Sequence, residues 1–366
     1  MKTGQRLYIV LLNTIEDWGG GERWCICAAQ GLEASGHHVM IACSAISILY
    51  KRTQSLGLNH FSIPKSGLKR MQAIWQLREY CRKHKVDAII ANVGRDLRIG
   101  AFATLGAPTK LYQRRGLLRK VKKDPFHRWI YTRLVDRIIV NCKAIKKEML
   151  KGTSFLFSDD FAVIYNSVDM DQPTKKGQTR TRHRLAIMPD QPLVGVVGRL
   201  SPMKGHNLLI KAWRQVLACH PKAVLLIVGH GAEEQRLKNL ANQLGLERSI
   251  IFVGFQENVD DIYEDIDVIV QPSIRDEGLN NTILESMAHS KCAVVSDCGG
   301  LPELVNHENS GLVVPVGDVD KLAEALIRVL SNDQIRLRFG ENARQRAKRF
   351  FSTRAMVEEL EAVLME

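Results

Sequence analysis

Glu277 and Glu285 flank seven residues in the stretch RDEGLNNTILESMAHS, Arg275 to Ser290. An ionised carboxylate only accepts hydrogen bonds and can take a pair of hydroxyls, so two at this spacing suit a ligand with hydroxyls at both ends. Backbone N–H groups of Gly278, Leu279, Asn280 and Asn281, with Thr282 following, would meet a phosphate or sugar oxygen between them. A competing account is local: Thr282-Ile-Leu-Glu285 has the form of a capping box, in which Glu285 merely satisfies a backbone N–H. That account leaves Glu277 unexplained.

Three other loops carry residues of the same kind. GRLSPMKGHN places Arg199 and Lys204 between a strand and a helix, where two cations suit a diphosphate. It is not a Walker A loop, because Lys204 precedes Gly205 and no G-K-[ST] follows. VGHGAEEQRL sets Gly229 and Gly231 before a helix, and a lone G-x-G says only that backbone is close to something or turning tightly. NTIEDWGGGERW sets Gly19, Gly20 and Gly21 before another helix, which is either an anion site at a helix N-terminus or a structural turn. Sugar hydroxyls at one glutamate, ribose at the other and diphosphate between is the order of groups in a nucleotide sugar.

The elements that must hold these loops are short β-branched runs alternating with helix-length segments, the pattern of βα units and parallel sheets. Strands are expected at residues 7–12, 39–43, 88–91, 111–113, 138–141 and 162–165, and helices include 22–35, closed by Gly36. A polar, non-periodic stretch with Pro173, Lys175, Lys176 and Gly177 breaks the rhythm. The pattern restarts with strands at 193–198, 223–228, 249–253, 267–271 and 292–296, with a helix at 207–217 and a last amphipathic helix at 353–366. The expected division is a domain over 1–170, a linker over 171–185, a domain over 186–350 and a closing helix within 351–366. Ligands in doubly wound sheets bind beyond the carboxyl ends of the strands, and two such domains are expected to face each other across a cleft.

Composition bounds the class. With 366 residues, 45% of them hydrophobic and 25% charged, the chain reads as a soluble two-domain protein. The first apolar run, Leu7 to Leu12, is too short for a signal peptide or a membrane span, which predicts a cytoplasmic location. Eight scattered cysteines are expected to be reduced and mostly buried. The net charge of +13 is uneven: residues 1–200 hold 34 Lys and Arg against 15 Asp and Glu, and the remainder 18 against 24. The front half therefore seeks an anionic partner. Its densest part, RRGLLRKVKKDPFHRWIYTR from Arg114 to Arg133, interleaves Phe126, Trp129 and Tyr131 with cations, either as a peripheral contact with an anionic membrane or as a solvated helical face. No nucleic-acid-binding motif is present, and nucleic acid is not expected as a partner.

The motif EGLNNTILE resembles the E-x7-E signature of family-four retaining glycosyltransferases. The resemblance extends over nearly the whole chain through GGGE, YNSVD (Tyr165 to Asp169), GRLSPMKG, FVGF, QPS (Gln271 to Ser273), GGLPELV and SGLVVPVGD. It implies the GT-B fold, two Rossmann-like doubly wound domains, the first binding acceptor and the second the nucleotide-sugar donor. It further implies that Arg199 and Lys204 bind the donor diphosphate, Glu277 the transferred sugar and Glu285 the ribose, with Gly19 to Gly21 closing on the donor. The implied reaction is transfer of a hexose or N-acetylhexosamine from a nucleotide sugar, expected to be UDP-linked, to a lipid-linked or lipopolysaccharide-type acceptor at the cytoplasmic face of the inner membrane. No cofactor or metal is implied. Asp265-Ile-Asp267 leads into a strand and Asp318-Val-Asp320 opens a helix, so neither reads as a D-x-D metal motif. Front-face substitution, in which the departing phosphate takes the acceptor's proton, would replace the covalent intermediate usual for retention. Where many relatives carry a histidine near the acceptor, this chain has Tyr112-Gln-Arg114-Arg115-Gly116, so Arg95, Arg114 and Arg115 are expected to meet an anionic acceptor or to form structural salt bridges. A nucleotide-sugar epimerase could use the same fold but needs an acid/base pair facing the sugar, and none is evident.

Overall fold

The computed structural model describes residues 6–64, 70–118, 121–170 and 180–366. Pro173, Lys175, Lys176 and Gly177 of the expected linker, and Lys120 of the basic segment, lie outside that set. The chain divides into two compact units, Met1–Ser167 with Thr353–Glu366, and Val168–Ser352.

Unit 1 is built on seven strands, β1 (Tyr8–Asn13), β2 (His38–Cys43), β3 (His60–Ser62), β4 (Ala88–Ala91), β5 (Lys110–Arg115), β6 (Arg137–Val140) and β7 (Phe161–Val163), in the order β3-β2-β1-β4-β5-β6-β7. Every pairing is parallel; Ile9 sits opposite Val39 on one side and Ala88 on the other. Helices cover both faces of such a sheet, which is why β1 and β4 read as continuous apolar runs rather than alternating ones. The helix Gly20–Ala34 buries Trp24, Cys25, Ala28 and Leu32, and Gly36 beyond its end takes the left-handed φ of +93° that its position required. The final helix, Thr353–Leu364, belongs to this unit: Met356, Val357, Leu360 and Leu364 join its core. A Cβ at Gly31 would stand 2.3 Å from Val357 Cγ2, so the two helices cross where only glycine fits.

Unit 2 holds six parallel strands, β8 (Leu193–Val197), β9 (Val224–Val228), β10 (Ile250–Gly254), β11 (Val268–Gln271), β12 (Cys292–Ser296) and β13 (Gly311–Val314), in the order β10-β9-β8-β11-β12-β13. Leu209, Ile210, Trp213 and Val216 of the helix His206–Cys219 pack with Leu322, Leu326 and Val329 of Val319–Leu330 in its core. Arg182, in the last residues of the expected linker, is clamped into this unit. Its Nε donates to the Asp265 carbonyl at 3.0 Å and its guanidinium to Asp267 Oδ2 at 2.9 Å, while its backbone N–H reaches Asp265 Oδ2 at 2.8 Å. Both carboxylates of the Asp265-Ile-Asp267 triplet are therefore engaged by one arginine. Asp318 caps its helix by accepting from the Lys321 N–H.

Two strands were absent from the sequence reading. β3 has three residues at the sheet edge, and β13 opens on Gly311, so neither offers the long β-branched run that marks the others. All eight cysteines are free thiols, and only Cys219 is exposed. Among the described residues no helix is long and apolar enough to cross a membrane.

In both sheets the strand order reverses once, between β1 and β4 in unit 1 and between β8 and β11 in unit 2. Crossovers leave to opposite faces there, opening a crevice beyond the carboxyl ends of those strands. The loops following β8 and β11 are those that carry Arg199, Lys204 and Glu277.

Candidate active site

The loop after β8 reaches the loop after β11 backbone to backbone. Gly205 has φ +70°, and a Cβ there would lie 1.9 Å from the Pro272 carbonyl oxygen, while the Ile274 N–H donates to the Met203 carbonyl at 2.8 Å. This contact delivers Lys204, at the end of a 3-10 turn, to Glu277: Nζ lies 3.0 Å from Oε1 and 2.9 Å from Oε2. Ser273 Oγ donates to Glu277 Oε2 at 2.5 Å, and Asn280 Nδ2 donates to Oε1 at 3.2 Å. Gln271 Nε2 donates in turn to Ser273 Oγ at 2.9 Å. The carboxylate of this buried residue is thus held by an ammonium and two neutral donors.

A third loop fixes the backbone beneath it. Gly299, following β12, has φ +58°, and a Cβ there would stand 1.8 Å from the Glu277 carbonyl oxygen. The Gly300 N–H donates to that same oxygen at 3.3 Å, and Ser296 Oγ donates to the Ser273 carbonyl at 2.5 Å. Gly229 and Gly231 play the same part beside β9: their Cβ positions fall 2.0 Å and 2.2 Å from the carbonyl oxygens of Gly198 and Leu200. Both are required for one loop to lie on the next, whatever else they contact. Arg199 is exposed on the loop that they support.

The helix that follows Glu277 starts differently from the capping box expected at Thr282. Asn280 is the N-cap: its Oδ1 accepts from the Ile283 N–H at 3.0 Å, and the helix runs Asn281–Ala288. Asn280 can both cap the helix and steady Glu277, because its amide offers an acceptor oxygen and a donor nitrogen at once. Glu285 is thereby relieved of capping. It stands half-buried in the second turn and accepts from the hydroxyl of fully buried Tyr263 at 2.9 Å. The Tyr263 ring lies 5.5 Å from that of His289, whose Nδ1 is 2.8 Å from Glu264 Oε1. Gly278 and Leu279 are buried between the two glutamates. Buried near these loops, Ser201 Oγ, Gln271 Oε1 and both ring nitrogens of His206 have no hydrogen-bond partner. Burial, reinforced by the Lys204 charge, pushes the His206 imidazole down to about 4.

In unit 1 the residues beyond β1 and β4 also converge, but inward. Asn13 Nδ2 donates to Glu22 Oε1 at 2.9 Å, and a Cβ at Gly21 would meet Asn92 Nδ2 at 2.6 Å. Gly19 is the N-cap of the helix Gly20–Ala34 without a side-chain cap. Arg114, expected to meet an anionic acceptor or to form a structural salt bridge, is 3% exposed and donates to Asn92 Oδ1 at 2.9 Å and Asn166 Oδ1 at 2.8 Å, with its guanidinium 4.4 Å from the Trp24 ring centre. Burial lowers its ordinary value to about 10. β5 lies inside the sheet, so Arg114 points into the interior and ties β4 and β5 to the chain beyond β7. Arg95 is directed to Thr14, donating to its hydroxyl at 2.8 Å and its carbonyl at 2.7 Å, and Arg115 donates to Tyr131 Oη at 3.2 Å.

Comparison with known proteins agrees with the loops. The family described as glycosyltransferase family 4 matches residues 18–172, and that described as glycosyl transferases group 1 matches residues 177–346. The chain belongs to the family-four, group 1 glycosyltransferases. Among curated relatives of this chain, a Corynebacterium glutamicum GDP-mannose-dependent monoacylated alpha-(1-6)-phosphatidylinositol monomannoside mannosyltransferase is 34% identical over 199 residues, covering 52% of this chain and 51% of that one. An uncharacterised Haemophilus influenzae glycosyltransferase is 26% identical over 353 residues, 89% of this chain and 91% of its own. The chain spans about half the length of several curated relatives that it matches. The solved structure of Anabaena Alr3699/HepE in complex with UDP superposes with a TM-score of 0.86 at 21% identity, over 98% of this chain and all of that one, and shares the two-unit GT-B fold.

Reading the sequence brought together Lys204, Glu277 and Glu285, and the structure sets all three on unit 2. It missed Ser273, Tyr263 and Gly299. Ser273 had a signal in the quoted QPS triplet and Gly299 in the quoted GGLPELV, whereas Tyr263 acts across the fold and leaves no mark in local spacing.

Proposed function

We propose that this glycosyltransferase moves a hexose or N-acetylhexosamine from a nucleotide sugar, UDP-linked, to a lipid-linked or cell-surface saccharide acceptor, with retention and without a metal. The observation that carries the proposal is the Lys204, Ser273 and Asn280 cradle around Glu277 at the switch point of unit 2, with Glu285 eight positions on. Glu277 is surrounded by donors on both oxygens, which suits a group that orients sugar hydroxyls better than one that attacks carbon. Arg199 and Lys204 supply positive charge where a diphosphate departs, and Lys204 keeps a third N–H beyond the two turned to Glu277. The bond from the sugar's anomeric carbon to phosphate breaks as the bond from the acceptor oxygen forms on the same face. The acceptor's proton passes to the leaving phosphate. Glu285, anchored by Tyr263, takes the ribose.

The acceptor side of the proposal rests on unit 1. The helix Pro125–Arg133 exposes Phe126 and Trp129, which cluster with Phe102, beside exposed Lys122, Lys123, Arg128 and Arg133. Aromatic rings among cations suit the headgroup region of an anionic membrane, where a lipid-linked acceptor resides. The deciding experiment incubates the protein with radiolabelled UDP-, GDP- and ADP-sugars. Slow hydrolysis of one donor, lost in Glu277→Gln, is expected; failure to bind or hydrolyse any would overturn the proposal. Flotation with anionic vesicles, unchanged after charge reversal of Lys122 and Lys123, would remove the membrane part alone.

A further inference from the structure

Unit 1 carries a second recess that the transfer reading does not use. Between edge strand β3 and the helix Arg70–His84 lies an open groove of about 690 Å³, lined by Phe61, Trp75, Gln76, Glu79, Tyr80 and Arg82. Its floor is an aromatic stack: Phe61 lies on Tyr80 at 4.6 Å and Tyr80 on His84 at 4.4 Å, with Tyr8 Oη 2.6 Å from Tyr80 Oη. Tyr8 begins β1, so that end of the stack lies at the amino edge of the sheet, while Phe61 stands opposite Ala42 of β2. Burial drives the Tyr80 phenol upward, so it remains a neutral hydroxyl.

One feature is costly unless something occupies the groove: Trp75 is 64% exposed, an unusual position for the largest apolar side chain on a helix. Flat aromatic faces match the apolar C–H faces of sugar rings, and an acceptor such as Glu79 matches their hydroxyls. Glu79 is already neutralised by Arg82 at 3.0 Å, which leaves exposed Lys83 and neighbouring His84 to meet acidic groups. A bilayer, being flat, would not fill the concavity.

We propose that this groove binds an acidic oligosaccharide, a second saccharide site on unit 1 separate from the loops that hold the transfer chemistry. Its size falls within the roughly 300–1,000 Å³ usual for ligand sites.

The test is saturation-transfer NMR and calorimetric titration of the full chain with a short oligosaccharide alternating glucuronic acid and N-acetylglucosamine. A neutral maltose-series oligosaccharide and anionic vesicles serve as comparators. Binding of the acidic oligosaccharide, weaker in salt and at least about tenfold weaker in Trp75→Ala and in Lys83→Glu, is expected. UDP binding and circular dichroism, measured on the same variants, should match the native chain and show that each is folded. No binding of the acidic oligosaccharide, equal binding by Trp75→Ala, preference for the neutral one, or an effect of Trp75→Ala on vesicles alone would each overturn the proposal. Because UDP binding is read separately, a failure here is distinguishable from a failure of the donor assignment.

Discussion

Lys204→Met tests the central pair directly. The substitution keeps most of the alkyl stem and removes the ammonium that lies 2.9 Å from Glu277. Removing one partner of a fully buried pair costs about 3–5 kcal/mol, because the other charge is stranded. The Lys204 side chain is 22% exposed and that of Glu277 9%, and Ser273 and Asn280 still donate to the carboxylate, so the expected loss is smaller, about 2 kcal/mol. Adding Glu277→Gln to Lys204→Met removes the stranded charge, and the double variant should recover about 1 kcal/mol or more of that loss. Urea unfolding of the four members of the cycle gives the coupling energy, and amide exchange of the helix Asn281–Ala288 localises it to unit 2. A loss below about 0.5 kcal/mol in Lys204→Met, or strict additivity in the double variant, would show that the two groups do not depend on one another.

Tyr263→Phe should weaken UDP binding by about threefold to tenfold while leaving turnover at saturating donor near native, since the lost hydroxyl only positions Glu285; calorimetry and steady-state kinetics separate the two. Gly299→Ala, which places a methyl 1.8 Å from the Glu277 carbonyl at φ +58°, should cost at least about 2 kcal/mol in urea unfolding and displace Glu277 enough to depress donor hydrolysis. His206 is held neutral when folded, with its value lowered from 6.5 to about 4, so the unfolded chain binds its proton first and native stability falls as the pH drops from about 6.5 to about 4. Thermal melts across that window should show a shallower acid decline in His206→Leu than in the native chain; parallel slopes would contradict the neutral assignment.

Much of this architecture is legible in the sequence because parallel strands covered on both faces write themselves as apolar runs. Ala88–Ala91 and Cys292–Ser296 have the expected bounds, and most others differ by a residue or two. The two edge strands β3 and β13 are too short to stand out from loops. Within the site, residue types were readable and pairings were not. Lys204 and Glu277 were assigned separately, to phosphate and sugar, and their mutual contact depends on Gly205 meeting Pro272 in the folded backbone. Asn280 was hidden by a good alternative, since Thr282 and Glu285 have correct capping-box spacing and only the turn at Asn280 decides against them. Arg114 was read as lying beyond a strand that ended at residue 113, whereas β5 runs on to Arg115 and asparagines and an indole receive the guanidinium inside the unit.

The return of the last helix to unit 1 bears on how the protein is made. The chain enters unit 2 at Val168 and leaves it at Ser352, two residues that pair as a parallel bridge. Unit 2 is thus an uninterrupted segment, free to complete its fold as soon as it clears the ribosome. Unit 1, although synthesised first, lacks Met356, Val357, Leu360 and Leu364 from its core until residues 353–364 emerge. The apolar seam of the helix Gly20–Ala34 stays uncovered until the helix Thr353–Leu364 is made, which inverts the usual order in which amino-terminal domains fold first and makes that seam a natural site for chaperone engagement on the nascent chain.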